Sequence, residues 1–213
     1  QEKSLADLLA HAASLERATA WLATLPGMPA GLPPQLAGQA RLDARWQGGW
    51  TDPTLQARLQ VPRLAAVDPA TPPEAAWTLR DASASLEGRL AQARLQAEGV
   101  AVQGLRRLRA RLAGTAGQVS GGWQGRLDSL DLAATGLVPT TEGEWRLRLP
   151  QPFGITWRDG VLQAEAGSAL LDAPVRRGPP QARLAWQPLR WGQGELETAG
   201  RLEGLPMAWI ELF

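Results

Sequence analysis

The chain has no cysteine, no asparagine, no tyrosine and a single histidine, His11, among its 213 residues. Without cysteine there is no disulfide and no thiolate site, although an oxidising compartment stays open, because many proteins there lack disulfides. A Ser-His-Asp arrangement would have to use His11, which lies on the flank of a helical pattern before the rest of the chain begins. A zinc site fares no better, since no cysteine or second histidine can complete its ligand set. Carboxylate-only sites need clustered Asp and Glu, and here both are dispersed. The glycine-rich stretch from Gly117 to Gly125 lacks a following Lys-Ser/Thr and a helical pattern behind it, so it reads as a hairpin turn and not a phosphate loop. The chain is therefore read as a non-enzyme, with no catalytic residue, metal or cofactor to nominate.

An excess of charge is also missing. Lys and Arg number 22 against 21 Asp and Glu, for a formal net charge of +1. Nucleic-acid binders carry a strong, clustered basic footprint, so nucleic acid is not expected as a partner. The one basic run is Arg106, Arg107, Arg109 and Arg111. Leu108, Ala110 and Leu112 alternate with it, which makes a solvated strand face the plain reading and a phosphate or lipid-headgroup contact the sharper one. No apolar run reaches 18 residues, and no signal peptide is visible. The chain starts inside a helix-like pattern and stops just after an apolar stretch. It reads as a segment of something longer, with any membrane anchor outside it.

What is present is patterned. Leu5, Leu8, Ala12, Leu15, Thr19 and Leu22 recur at three- and four-residue steps, the signature of an amphipathic helix near Ser4 to Leu25. Ser4 and Asp7 resemble a capping box, and Pro26-Gly27 ends the pattern. Gly31, Pro33 and Pro34 make a rigid connection, so 1–34 is one unit, helix plus linker. From Gln35 onward the period changes to two. Leu42, Ala44 and Trp46 alternate with Arg41, Asp43 and Arg45; Leu55, Ala57 and Leu59 with Gln56 and Arg58. Trp145, Leu147 and Leu149 alternate with Arg146 and Arg148, while Ala182, Leu184 and Trp186 repeat the form. In a strand, that period puts every apolar side chain on one face and every charge on the other. Parity slips near Leu90-Ala91, which marks a turn or a bulge.

These runs predict a mainly β fold over 35–213: an elongated, curled antiparallel sheet with one dry and one wet face. So much apolar surface cannot stay in water. The sheet must close into a barrel, pack on a second sheet, or curl into a gutter filled by something else. The ten tryptophans sharpen the choice. Trp46, Trp145 and Trp186 fall on the apolar parity, where they serve either as core against a second layer or as the lining of an unfilled groove.

Two stretches carry a family resemblance. Leu32-Pro33-Pro34-Gln35-Leu36-Ala37-Gly38 with Trp46-Gln47-Gly48-Gly49-Trp50-Thr51-Asp52-Pro53 is similar to repeated strand units of the AsmA-like and TamB group. Glu142-Gly143-Glu144-Trp145-Arg146-Leu147-Arg148-Leu149-Pro150, and Gly200-Arg201-Leu202-Glu203-Gly204-Leu205-Pro206-Met207-Ala208-Trp209-Ile210, resemble two further segments of that group. Some members carry cysteines around the stretch that here reads Ala166 to Ala173, so any disulfide of theirs is impossible in this chain. The resemblance implies a periplasmic protein anchored in the inner membrane, with a taco-shaped β-groove. It also implies that the groove conducts phospholipids to the outer membrane and acts with a TamA-like outer-membrane barrel protein in assembling outer-membrane proteins.

On that reading, phospholipid acyl chains are the partner. The groove lining is Leu42, Ala44, Trp46, Leu55, Ala57, Leu59, Trp145, Leu147, Leu149, Leu184 and Trp186. A structural or chaperone-like β scaffold with a closed core is the competing expectation. Cut from a longer groove, the segment would also expose strand edges, and edge-to-edge self-association is expected.

Overall fold

A computed structural model describes residues 36–49, 53–66, 76–137, 143–174, 181–192 and 194–204. The helix expected near Ser4 to Leu25, and the linker after it, lie outside these residues. Of the described residues 79% are in strands and none is in a helix, as the switch to period two requires.

Six long strands come first: β1 (Leu36–Gln47), β2 (Thr54–Ala66), β3 (Thr78–Arg89), β4 (Gln92–Gln103), β5 (Arg106–Val119) and β6 (Gly122–Thr135). Each pairs antiparallel with the one before. The second half of β6 then pairs with β7 (Glu144–Arg148) and its first half with β8 (Phe153–Arg158). The division continues outward. β10 (Gly167–Asp172), β11 (Gln181–Trp186) and β14 (Gly200–Glu203) follow β7, while β9 (Val161–Ala164), β12 (Leu189–Gly192) and β13 (Glu195–Glu197) follow β8. The last eight strands are thus four passes, each interrupted once, and the whole is a ten-pass meander. It is one open antiparallel sheet, not closed into a barrel.

The chain chemistry explains two of the four interruptions. They fall at 149–152, 165–166, 187–188 and 198–199, and Pro150, Pro152 and Pro188 occupy two of them. Proline has no N–H to give to a ladder. Single backbone bonds bridge the line of breaks: Leu149 N–H to the Leu130 carbonyl (3.1 Å), Glu165 to Gly154 (2.9 Å) and Gln187 to Ala199 (2.8 Å).

Two-residue turns join successive passes at Leu90-Ala91, Gly104-Leu105, Ser120-Gly121 and Asp159-Gly160. The parity slip at Leu90-Ala91 is therefore a turn. Asp159 (φ 52°) and Gly160 (φ 75°) are both left-handed, as the turn type that matches strand twist demands.

Bulges lie elsewhere. Val61 and Pro62 of β2 face the single residue Ala40, and Asp81 and Ala82 of β3 face Gly99. Another extra residue, Asp128, enters β6 against the step from Ala113 to Gly114. Each bulge resets the side-chain parity of its strand, and after each reset the apolar residues again share one face.

Burial separates this sheet from an ordinary domain. The buried hydrophobics of the described residues are Val61, Trp145 and six alanines, while the leucines from Leu42 to Leu202 are exposed or half-buried. The one compact cluster joins Ala134, Trp145, Ala173 and Ala182, with Leu108 and Leu171 packed against it.

Candidate functional site

Cross-strand partners share a face, so the register can be followed across the whole sheet. One row runs Leu42, Leu59, Ala84, Ala97, Leu112, Leu130 from β1 to β6. The next runs Ala44, Ala57, Leu86, Leu95, Gly114, Leu127, Phe153. A third begins Trp46, Leu55, Gly88, Ala93 and reaches Ile155, Ala164 and Leu189 on the far wing. Beyond the breaks, Leu132, Leu147, Leu171 and Ala182 form a row, as do Ala169, Leu184 and Leu202. Leu149 continues the alternation one residue past β7.

All eleven sequence-nominated lining residues thus lie on the same face, but their surroundings differ. Leu42, Ala44, Trp46, Leu59 and Leu184 are exposed, and Leu55, Ala57, Leu147 and Leu149 are half-buried. Trp145 is only 8% exposed and forms the centre of the sealed cluster. Trp186 is half-buried at the line of breaks. Its indole N–H donates to the Glu165 carbonyl (3.1 Å), and its ring meets Phe153 edge-on at 5.4 Å. A Cβ on Gly167 would lie 2.5 Å from the Trp186 ring, so glycine is what lets the ring lie flat on the strand.

The nominated set omits part of the face. Trp123 pairs with Trp157, Trp157 with Leu162, Leu162 with Trp191 and Trp191 with Leu196. These tryptophans retain 49%, 46% and 50% of their surface, and Leu196 retains 63%. A signal was there to find: Trp46, Trp123, Trp157 and Trp191 each stand within three residues of a turn glycine at the same end of the sheet.

The opposite face is ionic. Arg58 pairs with Glu87 (3.3 Å), Arg111 with Glu98 (3.4 Å) and Arg126 with Asp128 (3.3 Å). Across β6, β7, β10 and β11 the pairs link up. Arg146 grips Asp131 through Nε and Nη2, Arg148 donates to Asp172 (2.7 Å), and Gln181 donates to the other oxygen of Asp172 (2.8 Å). The Arg146 hydrogen bond holds the Asp131 carboxyl below its ordinary pKa, and the Arg146 guanidinium is raised in turn. At Asp172 burial works to raise the pKa, but the Gln181 and Arg148 hydrogen bonds outweigh it and the net direction is down.

Two recesses are lined largely by this polar face. One includes Arg58, Gln60, Ser83, Ser85, Gln96 and Glu98; the other includes Thr115, Gln124, Arg126, Thr156, Gln163 and Arg190. A twisted sheet is saddle-shaped, so each face is hollow along one diagonal. Among the described residues no three His, Asp or Glu gather to hold a metal ion, and no helix is long and apolar enough to cross a membrane. What the arrangement offers chemically is a broad apolar surface.

Comparison with protein-family models, with curated proteins and with solved structures finds no match.

Proposed function

We propose that this chain is a segment of a bridge-like lipid-transfer protein whose apolar sheet face conducts phospholipid acyl chains between the inner and outer membranes. One observation carries the reading: a single apolar face runs across ten passes, and its leucines from Leu42 to Leu202 are exposed or half-buried. The largest apolar patch of a typical monomer covers about 300–600 Å², and larger ones mark binding surfaces. Burying a methylene yields roughly 0.8 kcal/mol and has no direction. An acyl chain would therefore be held by many small contacts and could slide without breaking a strong one. The exposed Leu42, Leu59 and Leu184 would be contact surface, while Trp145 and Trp186 would fix the wall. Curling of the sheet into a taco-shaped groove, a periplasmic location, an inner-membrane anchor outside this segment and work with a TamA-like barrel protein belong to the same proposal.

The sealed cluster around Trp145 favours a second reading, a structural or chaperone-like scaffold whose apolar face is covered by protein. Lipid content separates the two. The purified chain, examined by native mass spectrometry after gentle extraction, should carry diacyl lipid. Leu59→Asp and Leu184→Asp should lose it, by up to on the order of a hundredfold if a charge costs about 2.5–3.5 kcal/mol, as at a bilayer centre. Arg45→Gln, on the polar face, should keep it. Equal lipid content in all three variants, or none in the parent chain, would leave the sheet without a lipid path and favour the scaffold.

A further inference from the structure

The register gathers arginines that the sequence keeps far apart. Arg63 of β2 lies directly opposite Arg80 of β3; Arg80 is opposite Val100, and Val100 is opposite Arg109. Arg107 stands on the same face, opposite Val102 and Thr135. Neighbouring strands are about 4.8 Å apart, so Arg80 and Arg109 start about 10 Å apart across Val100, within reach of a common anion.

All four arginines are exposed, and none forms an ion pair with a described carboxylate. Of the acids nearby, Glu98 is engaged by Arg111 and Asp131 by Arg146, while Asp81, beside Arg80 in the bulge, and Glu144, across Thr135 from Arg107, form no ion pair with these arginines. Like charges placed directly opposite on a sheet weaken it. Among the described residues Arg58, Arg111, Arg126, Arg146 and Arg148 are matched with carboxylates, whereas these four are not.

We infer that this quadrant is a docking surface for an anionic lipid bilayer, read through its headgroup phosphates. Guanidinium groups suit phosphate because they present paired donors at matching spacing. The sheet offers no cradle for a single phosphate, because its backbone N–H groups are spent in ladders. A flat spread of cations suits a surface that presents many phosphates side by side. Val100 and Val102 lie among the arginines and add apolar contact. The overall charge of +1 argues against nucleic acid, which would need far more positive surface. The patch is on the face opposite the proposed lipid path and does not rest on it.

The test is co-sedimentation of the purified chain with vesicles of phosphatidylcholine alone and of phosphatidylcholine with phosphatidylglycerol. Binding should need phosphatidylglycerol and weaken with added salt. Each basic residue near such a surface is worth about fivefold in affinity, so Arg80→Gln with Arg109→Gln should lose about 25-fold. Arg58→Gln with Arg126→Gln, drawn from paired positions, should lose much less. Arg63→Gln should leave Tm unchanged or raise it, since it removes a like-charge pair. Equal binding to both vesicle types would assign the interaction to the apolar face and overturn the inference. So would equal losses from the two double variants, a lower Tm for Arg63→Gln, or Arg80- and Arg109-dependent binding to duplex DNA without binding to vesicles.

Discussion

Trp186 shows what one side chain does at the line of breaks in this sheet. Its ring lies on Gly167, its edge meets Phe153, and its N–H ties down Glu165 in the interrupted pass. The ring thus packs across a line where the ladder has lost bonds. Gly167→Ala would drive a methyl into the ring, and overpacking of this kind costs about 1–3 kcal/mol. We expect a lower Tm and a change in tryptophan fluorescence; an unchanged Tm would mean that the ring moves aside freely. The alternation around Ala182, Leu184 and Trp186 was legible in the sequence, and so was the shared face. The difference between Trp145, sealed, and Trp46, open, was not. Both sit in the same apolar-charged alternation, and what separates them is contact with Ala134, Ala173 and Ala182, brought together by pairing of distant strands. Trp123, Trp157 and Trp191 were missed for a different reason. Each has a glycine within three residues, so the local period looks broken, although the turn glycines explain it.

At the scale of strands, β6, β7, β10 and β11 are tied on the polar face through Asp131, Arg146, Arg148, Asp172 and Gln181. The sequence displays the charges of this face but not their partners, because Asp131 and Arg146 meet only once β6 and β7 are in register. Nor could it place the bulges at Val61-Pro62, Asp81-Ala82 and Asp128, which depend on what stands opposite. The carboxylates make the tie pH-dependent. Asp172 and Asp131 titrate below their ordinary values in the folded chain. Their contribution is present above the unfolded pKa of about 3.9 and is lost as pH falls through the lower folded values. Asp172→Asn should therefore cost about 1 kcal/mol near neutral pH, a discounted figure because the Arg148 partner is partly in water. The Tm gap between parent and variant should close as pH falls below the unfolded carboxylate value of about 3.9. A gap that persists there would assign the loss to packing and not to charge.

At the scale of the molecule, the described sheet has two unlike ends. β1 is an edge of 12 residues, whereas the far edge is the short β13 and β14, of 3 and 4 residues. No described residue pairs with the outer side of β1. A long strand edge is a template for another strand, and short or interrupted edges are a common protection against that pairing. The asymmetry directs association to the β1 side. Two copies meeting there would join antiparallel about a two-fold axis, each presenting the same strand to the other. Such pairing would also set two apolar faces side by side and lengthen the surface that carries Leu42, Ala44 and Trp46. Arg41, Asp43 and Arg45 all point to the polar face, so the apolar side of this edge has no charge to deter a partner. Ala44→Lys places one there, in the manner of natural edge strands that carry an inward-pointing lysine. We expect the parent chain to dimerise with rising concentration in sedimentation equilibrium, and Ala44→Lys to weaken the dimer by at least about tenfold. Ala169→Lys would test folding instead of association, because Ala169 is buried in the sheet interior. If the parent stays monomeric at high concentration, the β1 edge is already covered. If Ala44→Lys dimerises as well as the parent, the copies meet through some other surface.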